Sequence, residues 1–313
     1  MTKGRGGLDA GPDTSQTAIG DTACARPLPT APIIAGTRAL AAHLRVTVST
    51  GQTDVVGDSV SFQLDGHVAT ITYNRPDVLN AINGEMRRDL NAAFSRFRDD
   101  EDAWVAIMTG AGRAFCAGAD LRDGTGATGD FAGTFWEKPT LNSFESGWEV
   151  FKPVIAAVNG YCLGYGLTLT TWCDFVLASD RAEFGLPEVQ LGVPAVVASI
   201  RLPQRINWAD AMELLLTGER ITAERAHAMG LVWRVVPDET LLEEARALAT
   251  RLVSGAPLAQ RVMKEMAMRT RSMPTLEAIR FGETMRLVAG RTQDAAEGLH
   301  ASVEQRPPRW TGK

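Results

Sequence analysis

The sequence predicts an α/β core followed by a helical C-terminal part. Short β-prone runs alternate with helical periodicity from Val60 onward, and from Ala198 the pattern is largely helical. Two of the apolar runs also end in glycine-bearing turns that lead toward a helix: Ala114-Phe115-Cys116-Ala117-Gly118-Ala119-Asp120-Leu121 and Asn159-Gly160-Tyr161-Cys162-Leu163-Gly164-Tyr165-Gly166.

Order is expected from about Ser59. Val60–Leu64 and His67–Tyr73 alternate around Asp65-Gly66, which reads as a hairpin. Asn74-Arg75-Pro76 stops the second strand, and Asn83 can cap the next helix. Met86, Leu90, Ala93, Phe94 and Phe97 then share one helical face. A strand over Val105–Met108 precedes the first turn, and a strand over Val154–Val158 precedes the second. A buried helix over Leu167–Trp172, a strand over Phe175–Ala178 and a turn at Phe184-Gly185-Leu186-Pro187-Glu188 follow. Helices are expected over Ala209–Leu216, Ala223–Met229, Leu241–Ser254, Pro257–Arg271, Thr275–Ala289 and Asp294–Glu304.

Two segments break the pattern. Residues 1–57 are rich in Gly, Thr, Pro and Ala and read as a disordered extension, or as sequence upstream of a true start near Val55. Residues 122–148 combine Gly124, Gly126, Gly129 and Gly133 with Phe131, Phe135, Trp136, Phe144 and Trp148, a mixture suited to a lid or pocket wall. Phe144 and Trp148 fit equally well in a helix packed on the core.

Composition narrows the function classes. With 32 basic and 37 acidic side chains the formal charge is −5, and no Lys/Arg-rich run suggests a nucleic-acid face. No apolar run approaches the roughly 20 residues that span a bilayer. The cysteines Cys24, Cys116, Cys162 and Cys173 form no metal-ligand spacing; three lie in apolar segments and read as core residues in a reducing compartment, the cytoplasm. No metal site is expected.

Two strand-to-helix turns can aim two backbone N–H groups at one point, the geometry that holds a carbonyl oxygen as it gains charge. With these turns, Asn74-Arg75-Pro76, Leu79-Asn80-Ala81, Phe184–Glu188, Leu191-Gly192, Leu216-Thr217-Gly218 with Ala226, Gly230-Leu231-Val232 and the end from Glu297-Gly298 to Trp310 occur in one order. In these motifs the chain resembles the enoyl-CoA hydratase/isomerase, or crotonase, superfamily from about Ser61 to its end.

The resemblance implies a crotonase-like spiral of ββα turns over residues 58–255 and a helical region over 256–313 used for trimers or dimers of trimers. It implies an acyl-CoA thioester substrate, with CoA arriving as part of the substrate and no separate cofactor. The thioester oxygen would lie between the N–H groups of Ala119 and Tyr165, with the enolate as the stabilised charge. Arg75, Leu79 and Ala81, together with Ala117, Gly118, Asp120, Leu121 and Gly164, fall in segments matching those that bind the substrate. Glu188 matches the family's proton-carrying glutamate, and burial there would raise its pKa.

The sequence departs from the family at three places. The second glutamate of the hydratases is Thr168, which can hold a water but is no useful general base. Tyr165 replaces the middle glycine of the second turn, and its side chain has the acyl pocket as one destination. Val193–Ser199 replaces a glycine-rich stretch. An enoyl-CoA hydratase is thus expected by label, with a double-bond isomerase or specialised lyase as the alternative, and a non-catalytic acyl-CoA-binding scaffold as an alternative of another class. Asp120 and Asp174 are expected to serve structure rather than catalysis. Glu137, Glu145 and Glu149 are further carboxylates in or beside the variable segment.

Overall fold

The computed structural model describes residues 53–123 and 149–313, all within the unit Val48–Lys313. The expectations for residues 1–52 and for 124–148, including Phe131, Phe135, Trp136, Glu137, Phe144, Glu145 and Trp148, lie outside the described residues.

Among the described residues, strands fall into a seven-stranded and a four-stranded sheet. The larger is ordered β1(Thr53–Gly57)-β2(Val60–Asp65)-β3(Val68–Tyr73)-β4(Val105–Gly110)-β6(Val154–Val158)-β8(Phe175–Ser179)-β11(Arg234–Val236). The smaller is ordered β10(Arg220–Thr222)-β9(Glu183–Gly185)-β7(Tyr161–Leu163)-β5(Ala114–Cys116). The chain alternates between the sheets: β4 then β5, β6 then β7, β8 then β9. Like strands of successive turns pair in parallel. This alternation is the ββα spiral.

Both faces of the larger sheet are covered. Ala106, Met108, Val154, Ala156, Val158, Val176 and Ala178 enter one core cluster, whereas Val105, Ile107, Ile155, Ala157 and Leu177 enter a second. Strands buried on both faces read as continuous apolar runs, which explains the unbroken runs before the two turns. Helix α1 (Gly84–Asp99) covers the first face through Met86, Leu90, Ala93, Phe94 and Phe97, and the Asn83 side chain accepts the Met86 N–H at 2.9 Å. Helix α6 (Leu241–Val253) covers the second with Leu241, Ala245, Leu248 and Ala249, spaced as one helical stripe.

Between β7 and β8 lies α2 (Tyr165–Thr170); between β9 and β10 lie α3 (Val196–Arg201) and α4 (Trp208–Met212), the latter running into a π turn, Glu213–Thr217. Helix α5 (Ala223–Ala228) is capped by Thr222. Helices α7 (Pro257–Arg269), α8 (Thr275–Ala289) and α9 (Gln293–Val303) end the chain. Lys264 on α7 is anchored by Asp174 Oδ2 at 2.7 Å and the Lys152 carbonyl at 2.9 Å. Helix α8 has no buried residue, and Leu276, Ile279, Leu287 and Val288 are all exposed.

Several details differ from expectation. Thr53–Gly57, ahead of the expected Ser59, forms a strand, because it pairs antiparallel with β2 at the sheet edge. The buried helix starts at Tyr165, not Leu167, because Gly164 turns the chain directly into it. The three-residue strands β5, β7, β9, β10 and β11 are too short for a periodic signal and exist through their neighbours.

Candidate active site

The first turn is stitched to the segment after β3. Ala117 N–H donates to Leu79 O at 3.0 Å, Ile82 N–H to Gly118 O at 2.8 Å, and Asp120 N–H to Ile82 O at 3.0 Å. Ile82 therefore pairs in parallel with Ala119 through the residues on either side of it. In such a bridge the N–H of Ala119 itself points away from Ile82. The Arg75 guanidinium closes the same loop by donating to Ala81 O and to Asp120 Oδ2, the latter at 3.1 Å.

Asn80 organises this loop. It is fully buried, in the left-handed region at φ 56°, and its carboxamide donates to Ala114 O at 2.7 Å and Ala111 O at 3.0 Å. Its Oδ1 accepts the Arg75 N–H at 2.8 Å. In the sequence Asn80 stands inside the Leu79-Asn80-Ala81 motif with no task evident from its neighbours. Asparagine's tolerance of positive φ was the available signal.

The second turn abuts the first. A Cβ built on Gly118 would lie 3.3 Å from Leu163 O and 3.8 Å from Gly164 Cα. Gly164 N–H is taken by Gly185 O at 2.8 Å. Tyr165 opens α2, where the first N–H groups of a helix have no intrahelical acceptor. Its ring does not line the cavity beside Glu188; it lies under the Arg87 guanidinium of α1, 4.8 Å from the ring centroid. That stacking explains why the second turn accepts a bulky residue without narrowing that cavity.

Glu188 sits in a 3-10 turn, Pro187–Leu191, directly after β9. Gly164 has φ 54°, which L side chains rarely adopt, and a Cβ there would also press within 2.8 Å of the Glu188 Oε1. The Glu188 Oε2 is buried without a hydrogen-bond partner. Burial raises the carboxyl above the ordinary glutamate pKa, opposed by a backbone hydrogen bond within the residue. The group borders a cavity of about 360 Å3 with Leu186, Val193, Pro194, Trp208, Met212 and Leu216 among its lining residues. Thr168 is buried on α2, and its hydroxyl donates to Gly164 O at 3.2 Å.

The remaining candidates divide clearly. Leu79, Ala81, Ala117, Gly118, Asp120 and Gly164 gather at the joined turns, while Leu121 is exposed beside them. Asp174 accepts the Val154 N–H at 2.7 Å besides pairing with Lys264, a structural task. Glu149 pairs with Arg269 at 2.7 Å. Cys116, Cys162 and Cys173 are free and buried, their thiols pushed up by desolvation, Cys116 and Cys173 to about 12. The cavity wall from Trp208 to Leu216 is not legible in the sequence, because the helical periodicity of 209–216 gives no sign of the π turn that interrupts it.

A ββα spiral with two abutting turns beside a desolvated carboxylate is the crotonase-like class of α/β enzyme fold. The chain belongs to the enoyl-CoA hydratase/isomerase family, whose model matches residues 63–313. It is 38% identical over 258 residues to a probable mitochondrial enoyl-CoA hydratase of Dictyostelium discoideum, spanning 79% of this chain and 89% of that protein. It is 37% identical over 257 residues to (E)-benzylidenesuccinyl-CoA hydratase of Thauera aromatica, spanning 81% and 99%. Among solved structures, an enoyl-CoA hydratase of Mycobacterium tuberculosis matches with a TM-score of 0.74 at 36% identity, covering 82% of this chain and all of that one (100%).

Proposed function

We propose that this chain hydrates enoyl-CoA thioesters, or dehydrates their hydroxyacyl counterparts, through an enolate held by the N–H groups of Ala119 and Tyr165. The observation that carries this reading is the desolvated Glu188 carboxylate packed against Gly164, beside both turns. In the hydration direction water adds to the β-carbon and the electron pair of the double bond moves to the thioester oxygen. Glu188 takes the water's proton and delivers it to the α-carbon. Polarising the oxygen with fixed dipoles in a site shielded from water lowers the barrier most. CoA enters with the substrate, and the scheme uses no other cofactor. The apolar cavity beside Glu188 favours an apolar acyl group. Arg75, paired with Asp120, frames the loop offered to CoA rather than presenting a vacant charge.

A second reading, double-bond isomerisation, is favoured by Thr168. One carboxylate suffices to take a proton from one carbon and return it at another, whereas the Thr168 hydroxyl is turned back onto its own helix. The deciding experiment offers 2-enoyl and 3-enoyl thioesters in heavy-oxygen water. Uptake of the label supports hydration; migration of the double bond without label supports isomerisation. Tight binding of the panel with no turnover of either kind would overturn both and leave a scaffold. Thr168→Glu should raise crotonyl-CoA hydration by at least about tenfold, since a positioned acid–base group contributes 10²–10⁴-fold. An unchanged rate in a folded variant would place position 168 away from the water.

We also read the chain as a trimer or dimer of trimers, supported by the exposed Leu276, Ile279, Leu287 and Val288 on α8 and Leu299 and Val303 on α9. Light scattering should give three or six times the chain mass, and a monomer would refute this. The buried free thiols fit a reducing cytoplasm. No helix among the described residues is long and apolar enough to cross a membrane.

A further inference from the structure

We infer that the contact between Cys116 and Gly166 is a positioning device that sets the distance between the two oxyanion donors. The inference rests on the reading of Ala119 and Tyr165 as those donors.

Cys116 ends β5 and is fully buried. It is the partner of Cys162 in the β5–β7 pairing, so the strands that feed the two turns are neighbours at this residue. Its sulfur accepts the Gly118 N–H at 3.4 Å, and its thiol faces Gly118 O at 3.8 Å. Gly118 directly precedes Ala119. The same side chain bears on the other turn. A Cβ on Gly166 would lie 2.7 Å from Cys116 Cβ, 2.8 Å from its carbonyl oxygen and 3.1 Å from its sulfur. Gly166 directly follows Tyr165. One buried side chain thus touches the residue adjoining each proposed donor, and it does so from beneath, on the core side.

Two physical consequences follow. The sulfur holds the Ala117–Gly118 peptide through its N–H and faces the Gly118 carbonyl, which shares its peptide plane with the Ala119 N–H. The bare Cα of Gly166 lets α2 seat directly on Cys116, so any added atom there must move the start of α2 and the Tyr165 N–H with it. Distances of this kind matter because misplacing a reacting atom by about 1 Å costs on the order of 10²-fold in rate. The thiol is neutral at physiological pH, its pKa held at about 12 by burial, so its task is steric and hydrogen-bonding, not ionic.

The test uses the full chain and an enoyl thioester that the wild type turns over. Cys116→Ala removes the acceptor and the sulfur's bulk; kcat should fall about tenfold with KM within about twofold, roughly a tenth of the effect of deleting a whole oxyanion donor. Cys116→Ser restores an acceptor and should recover kcat to within about threefold. Gly166→Ala should lose about 10²-fold in kcat. A chromophoric aryl-enoyl thioester supplies a second readout, since its absorbance moves to the red when its carbonyl is polarised. The bound red shift should shrink in Cys116→Ala and Gly166→Ala and persist in Cys116→Ser, which a packing defect remote from the carbonyl would not produce. If Cys116→Ala does not fold, Gly166→Ala carries the same two readouts. A wild-type kcat and red shift in a folded Cys116→Ala or Gly166→Ala variant would overturn the inference. A wild-type protein that neither turns over nor polarises any thioester would instead overturn the reading on which it rests.

Discussion

Replacing Glu188 by Gln should lower kcat by about 10²–10⁴-fold on any thioester the wild type processes, the range for a lost general acid–base group. KM should change little, because Gln keeps the shape beside Gly164. The same substitution should not weaken the fold. Burial holds the carboxyl above its ordinary 4.5, and in the unfolded chain it returns to that value. Between the two values the native state binds more protons than the unfolded state. The residue's contribution to stability is therefore fully present below about pH 4.5 and is lost as pH rises through the raised native pKa. Glutamine does not titrate, so the stability of Glu188→Gln relative to wild type should climb across that window and stay level above it. Denaturant melts at a series of pH values check this. A variant less stable than wild type at neutral pH would mean that the ionised carboxylate makes net favourable contacts that its orphaned Oε2 does not suggest.

Replacing Asn80 should produce a large loss of stability. Asn80→Ala strands the Arg75 N–H and the carbonyls of Ala111 and Ala114, where the carboxamide now satisfies all three. Each buried group left without a partner costs about 1–3 kcal/mol, although carbonyls that keep one bond cost less. Alanine also tolerates the left-handed backbone at φ 56° poorly, adding about 1–2 kcal/mol. A total of about 3–5 kcal/mol corresponds to a fall in Tm of roughly 10 °C for a domain of this size. Asn80→Asp should be worse than alanine, because it keeps the acceptor for Arg75 but sets a buried carboxylate against two carbonyl oxygens. Thermal melts of the two variants, ranked against wild type, test the order. Asn80→Asp as stable as wild type would show that the side chain reaches water.

Both residues illustrate what could be read from the chain before it was folded. The sequence pointed to Glu188 through the five-residue motif Phe184–Glu188, which matches the family's, and the structure leaves that carboxyl desolvated. The helix face of α1 was legible from period alone, and Met86, Leu90, Ala93, Phe94 and Phe97 are all buried. The fate of the Tyr165 ring was not legible, since Arg87 is distant in sequence and meets it only in the folded chain. Asn80 carried a weak local signal, and its three partners are 5 to 34 residues away. Cys116 read as one more small core residue, because nothing in its neighbourhood shows that Gly166 rests on it.

The sequence alone determined the α/β class, the two glycine-bearing turns, the single carboxylate at position 188 and the threonine at 168, since residue types and their local periodicity are properties of the chain itself. The tertiary structure decided that the turns abut and that Glu188 is desolvated beside them. It also decided that Thr168 bonds back to Gly164 O and that the Tyr165 ring goes to Arg87. The reason is that distance and dielectric between residues far apart in the chain are created by packing, and three-residue strands and buried contacts of this kind leave no periodic trace along the sequence.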